Sequence, residues 1–189
     1  MLGSVPLFSM VSPDPRPLAA LPPDLYELLD GPSIMDVATR NAALEPMSTI
    51  AFGLQRAADD REITLFLPVA LSPRILADLR DNGQMTVSLH RPSDHRAIQI
   101  KGIWLGERRT GDDDRAFLSR YRDAMVQEMG RVGVPRTAWQ RLAWWPTLAL
   151  RMEVREVFVQ TPGPSAGRRA ERTTDASPGK PSGKDSVPT

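Results

Sequence analysis

The stretch that decides the fold is residues 84–106, QMTVSLHRPSDHRAIQIKGIWLG. In its first arm Met85, Val87 and Leu89 alternate with Thr86, Ser88 and His90, and in its second Ile98 and Ile100 alternate with Ala97, Gln99 and Lys101. An apolar residue at every second position marks a strand with one buried face, so the stretch predicts a hairpin joined across the polar turn RPSD. The opposite face carries hydroxyls on one arm and an amide and a cation, two residues apart, on the other. Gly102 interrupts the second arm, where a missing side chain permits a bend or a close approach to the backbone. The polar face is the expected wall of a ligand site.

Upstream of the hairpin, residues 72–83 (SPRILADLRDNG) carry the punctuation of a helix: Ser72 as N-cap, Pro73 at the first helical position and Asn82-Gly83 at the end. Ile75, Leu76 and Leu79 form its apolar stripe. Residues 34–40, 47–55 and 62–68 read as strands, the last two with every second residue apolar. Near the start, Asp24 is placed to cap a short helix with Leu25, Leu28 and Leu29 on one side, stopped by Gly31-Pro32 and suited to closing one end of a barrel.

Downstream, a second helix is expected from residues 111–112. Three aspartates suit the positive end of its dipole, and Phe117, Leu118, Tyr121, Met125 and Met129 make its buried side. Residues 130–135 break it, a short helical piece holds Trp139 and Leu142, and a last strand alternates Leu148, Leu150, Met152 and Val154 with Arg151, Glu153 and Arg155 before VFVQTPGP. Residues 1–20 are broken by prolines and read as an extended arm. Residues 168–189 contain no aromatic residue and only Val187 as a large apolar one, too little burial to offset ordering, so they read as a disordered tail. One packed domain over 21–167 is expected.

Composition bounds the function. With 189 residues, 41% of them hydrophobic, the chain can bury one core. A net charge of +1 provides no basic field for nucleic acid or an acidic membrane. Without cysteine there is no disulfide or thiolate nucleophile, and with only His90 and His95 a zinc cluster is not expected. No run reaches the roughly 20 apolar residues of a membrane span, and the N-terminus lacks the form of a secretory signal. The expectation is a soluble cytoplasmic protein.

Two constellations carry ligand chemistry. The mouth of the 72–83 helix offers free N–H groups, the Ser72 hydroxyl and the Arg74 guanidinium; an Arg in a first helical turn is the wrong charge for the dipole, and a phosphate resolves the mismatch. A capped surface helix with a solvated Arg reads equally well. Gln99 and Lys101 stand about 7 Å apart on one strand face. Together they can hold a flat heteroaromatic ring by its carbonyl and imine edges, although an outward polar strand face is first of all a solvated one. His90 and His95 read as turn and strand-end residues before they read as an acid or an axial ligand. Arg40 reads as a solvated strand end before it reads as a second phosphate ligand, and Trp144-Trp145-Pro146 as core or dimer interface before ligand wall.

Taken in order, DVATR, ITLFLPVALSPRILADLRDNG, RAIQIKG and VFVQTPGP resemble the pyridoxamine 5′-phosphate oxidase-like FMN-binding split-barrel family. The resemblance covers about residues 21–167. It implies a mainly β fold with flanking helices: a six-stranded antiparallel split barrel, homodimeric, with FMN in clefts between subunits. It further implies that Ser72 and Arg74 lie near the flavin phosphate, and Gln99 and Lys101 against the ring edge. The expected activity is flavin-mediated redox of a small molecule, with a cation near the ring's carbonyl edge favouring the anionic reduced form and no side-chain nucleophile or metal. The alternative is a non-catalytic flavin, deazaflavin or haem-binding member, since related split barrels use deazaflavin or haem.

Overall fold

A computed structural model describes residues 21–170; the expected arm (1–20) and residues 171–189 of the expected tail lie outside the described residues. The strands are β1 (Ile34–Arg40), β2 (Pro46–Ala51), β3 (Leu54–Arg56), β4 (Glu62–Pro68), β5 (Gln84–His90), β6 (Ala97–Arg109) and β7 (Thr147–Val159). The helices are α1 (Tyr26–Asp30), α2 (Pro73–Asn82), α3 (Asp112–Arg131) and α4 (Arg136–Gln140). All strand pairs are antiparallel, in the order β2-β1-β5-β6-β7-β4-β3.

The two edge strands of that order, β2 and β3, are joined only by Phe52-Gly53, so one bent segment pairs with β1 at one end and with β4 at the other and closes the sheet into a barrel. The Phe52 N–H donates to the Phe66 carbonyl at 2.8 Å across the bend. Gly53 has φ +84°, and a Cβ there would sit 2.9 Å from Phe117 Cε1. The expected single strand over 47–55 is thus broken where a left-handed residue lets α3 approach. That break makes seven strands among the described residues where six are expected, while leaving the antiparallel barrel with flanking helices in place.

Inward-facing side chains follow the predicted alternation. Met35 and Val37, Ile63, Leu65 and Leu67, Met85, Val87 and Leu89, Ile98 and Ile100, and Leu150, Met152 and Val154 are all at most 3% exposed. Each contributes about 1.5–3 kcal/mol relative to exposure. Leu28 and Leu29 of α1, Ile75 and Leu79 of α2, and Leu118 and Met125 of α3 pack on the same core. Gly83 ends α2 in the left-handed conformation (φ +68°), as Asn82-Gly83 predicts.

Ser72 does not cap α2. The short 3-10 turn Val69–Leu71 runs directly into the helix, so Ser72 already has helical angles (φ −86°, ψ −23°), and its buried hydroxyl donates back to the Pro68 carbonyl at 2.7 Å. The tail boundary also shifts. Arg169 bridges to Phe158 and the Ala170 N–H donates to the Val157 carbonyl, so residues 168–170 continue the packed domain along β7.

Candidate functional site

Directly paired residues of antiparallel strands share a face, and the pairing lays out the barrel's outward surface in rows. One row runs Asp36–Ser88–Gln99–Phe158 and the next Ala38–Thr86–Lys101–Glu156, each across β1, β5, β6 and β7. Beyond them, Arg40 at the end of β1 donates to Gln84 Oε1 at 3.2 Å. The hairpin's polar face is therefore the middle of a four-strand platform.

The platform is held from both ends. Asn82 Nδ2 donates to the Arg40 carbonyl at 2.7 Å while its Oδ1 accepts the Gln84 N–H at 3.0 Å, so the end of α2 fixes Arg40 and Gln84 together. Behind Arg40, the Thr39 hydroxyl donates to buried Asp78 of α2 at 2.7 Å. At the hairpin turn, Arg91 and Arg96 both pair with Glu27, and the Ser93 N–H donates to Glu128 Oε1 at 2.9 Å. Burial works against the Glu128 carboxylate, but the Ser93 donors and the charges of Arg131 and Arg91 outweigh it and hold its pKa below the usual 4.5.

Against this platform lies a cavity of ≈ 420 Å³, lined by Ala38, Thr39, Arg40, Gln84, Met85, Thr86, Lys101, Gly102, Ile103, Arg155 and Glu156. Its charged lining is three cations against one carboxylate, and Glu156 is itself engaged at 3.7 Å by Arg169. Lys101 Nζ also lies 5.0 Å from the Phe158 ring centroid. A cationic cavity beside an aromatic ring suits a flat ligand carrying an anionic group.

The four residues singled out in the sequence separate. Lys101 lines the cavity, and Gln99 stands one row along on the same face, half-buried. Arg74 is exposed and lies 3.9 Å from Glu45, whose carboxylate accepts from Asn41, the residue after Arg40. It thus borders the β1–β2 turn, outside the cavity lining. Ser72 lies at the other end of α2 from Gln84, about 15 Å along a ten-residue helix. With its proton committed to Pro68, its hydroxyl has no donor to offer a phosphate, and a single contact set of Ser72 with Gln99 and Lys101 does not form within this chain.

Arg40 is more than a solvated strand end, since it lines the cavity. His90 is exposed at the end of β5, and His95 sits in the turn with φ +59°. Trp144 and Trp145 lie against α3 beneath Arg122 and Arg115, away from the cavity lining.

Arg155, which the sequence reading does not single out, also lines the cavity. Lys101 pairs with Glu156 but Gly102 with Val154, so Arg155 is an extra residue in β7. Such a bulge turns two successive side chains, Arg155 and Glu156, to the outward face. The signal was present: the apolar phase runs 148, 150, 152, 154 and then resumes at 157 and 159, a slip of one residue.

The chain matches no protein-family model and no curated protein. Among solved structures it is similar to HupZ of Group A Streptococcus, at 17% identity and a TM-score of 0.47, over 78% of this chain and 99% of that one. It is also similar to a putative pyridoxamine 5′-phosphate oxidase of Lactobacillus delbrueckii, at 11% identity and 0.46, over 74% and 94%. A third is HutZ, described as the heme storage protein of Vibrio cholerae, at 13% identity and 0.41, over 74% and 94%.

Proposed function

We propose that the outward face of β5 and β6 binds FMN and that the protein is a flavin-dependent oxidoreductase acting on a small molecule. One observation carries the proposal: Gln99 and Lys101 project from the same face of β6, beside a cavity that Lys101 shares with Arg40. An amide that donates and accepts, next to an ammonium that only donates, matches a ring edge carrying imine and carbonyl groups. The Phe158 ring, paired in register with Gln99, adds a flat apolar surface. From the Gln99–Ser88 row to the Arg40–Gln84 end is four residues of strand, about 14 Å, a path for a ribityl phosphate running from ring to guanidinium.

Bound FMN would supply the hydride chemistry. The residues of the chain would orient and charge the site: Lys101 places a positive charge at the ring's carbonyl edge, Gln99 fixes its orientation, and Arg40 neutralises the phosphate with Arg74 at the rim. A second copy of the chain covering this face, as a homodimer, is part of the proposal and would exclude water from the ring.

The test is the absorbance spectrum of freshly purified protein, together with quenching of added FMN fluorescence. Flavin bands or saturable quenching, weakened at least tenfold in Lys101→Ala, support the reading. Colourless protein that leaves FMN fluorescence unchanged overturns it. A Soret band would replace flavin by haem and a deazaflavin spectrum would replace it by that cofactor. Bound flavin that neither NADH nor NADPH reduces, with no oxidase turnover, would mean a carrier rather than an enzyme.

A further inference from the structure

The barrel closes through the bend at Gly53, and the β7 bulge lies elsewhere, between β6 and β7. Its local effect is on one side chain: Arg155, unpaired in the β6–β7 ladder, points to the outward face and lines the cavity with Lys101 and Arg40. Its Nη2 donates to Glu153 Oε2 at 2.6 Å. Its Nε–H, by contrast, is buried and has no hydrogen-bond partner among the described residues. Groups left in that state ask for an explanation, and here the side chain that carries it lines a cavity. The carboxylate that could answer it from within, Glu156, is turned instead to Arg169.

A guanidinium carries five N–H donors, of which the contact of Nη2 with Glu153 engages one. From these observations we infer that Arg155 is the specificity-determining residue of an oxyanion seat in this cavity, taking a phosphate ester or carboxylate with Lys101 as the second cation. The inference deepens the proposed use of the same cavity but does not depend on flavin. With the cofactor phosphate proposed at Arg40, farther along the strands than the Lys101 row, the oxyanion held here is the acidic group of a second, small-molecule ligand.

The experiment is a titration of the full chain with inorganic phosphate at fixed ionic strength, following the backbone amide NMR signals of β5 and of β7 around the bulge. Saturable shifts confined to those segments are expected. The apparent affinity should fall at least tenfold in Arg155→Ala, be partly kept in Arg155→Lys, and be unchanged in Arg151→Ala, whose guanidinium pairs with Glu62 at 2.8 Å on the same strand. Deleting Arg155 is a second variant, because it regularises the ladder between Glu156 and Val154; it should keep a folded spectrum and lose phosphate binding. Phosphate that binds beside FMN supports a second ligand, and phosphate that competes with FMN but not with riboflavin overturns it, moving the cofactor phosphate from Arg40 to this seat. Absence of saturable shifts, or shifts that survive in Arg155→Ala, overturns the inference. Arg155-dependent phosphate binding without any flavin binding would leave the seat standing and remove the cofactor reading.

Discussion

The backbone carbonyl oxygen of Glu153 lies 2.0 Å from where a Cβ on Gly102 would stand, with Met152 Cε at 2.6 Å. The bulge that frees Arg155 thus presses β7 against β6, and the absence of a side chain at residue 102 is what permits it. Gly102→Ala should destabilise the protein by about 1–3 kcal/mol, since the nearest obstacle is backbone and cannot rotate away. Gly130→Ala is the control: nothing lies within 4 Å of its added Cβ, and in a helix the change should stabilise by about 0.5–1 kcal/mol. Urea unfolding midpoints of the two variants check both signs.

At the barrel's seam, Gly53 combines a left-handed backbone with contact against Phe117. Gly53→Ala should cost about 1–3 kcal/mol through strain and overpacking together. Thermal unfolding measures it, and a variant as stable as the parent would mean the bend does not need glycine.

Ser72 and Lys101 should separate stability from binding. Ser72→Ala removes a buried hydroxyl bonded to the Pro68 carbonyl and should lower stability by about 1 kcal/mol with FMN affinity unchanged. Lys101→Ala removes an exposed cation and should do the reverse. Fluorescence titration beside denaturant unfolding reads both. Loss of FMN affinity in Ser72→Ala with stability intact would return the phosphate to the mouth of α2.

Glu128 sets an acid limit. Its side chain is buried between the Ser93 N–H and Arg131, and its folded pKa is lowered from 4.5. A lowered carboxylate pKa contributes stability above the unfolded value, and that contribution is lost as pH falls through the folded one. Glu128→Gln should therefore lose about 1.5–3 kcal/mol at neutral pH. The gap to the parent should close as pH is brought from 6 down past 4. Unfolding curves at a series of pH values test it, and a gap constant with pH would mean that packing rather than charge carries the effect.

Much of the fold was legible because it rests on local periodicity. Alternation at Met85, Val87 and Leu89 states which face of β5 is buried, and Ile98 and Ile100 say the same of β6, whatever the strands pair with. The stripe of Ile75, Leu76 and Leu79 and the Asn82-Gly83 stop likewise placed α2. Ser72 misled because a Ser-Pro pair looks the same whether an extended residue or a 3-10 turn precedes it.

The sequence by itself determined the strands and helices, the faces they bury and the Gln99–Lys101 pair, because side-chain alternation is a property of each segment alone. Only the tertiary structure decided that Gly53 closes the barrel, that Arg40 and Lys101 share one cavity and that Arg155 turns into it. Those depend on the register between strands far apart in the chain. A slip of one residue in β7 acquires its meaning only when Lys101 and Gly102 of β6 stand opposite Glu156 and Val154.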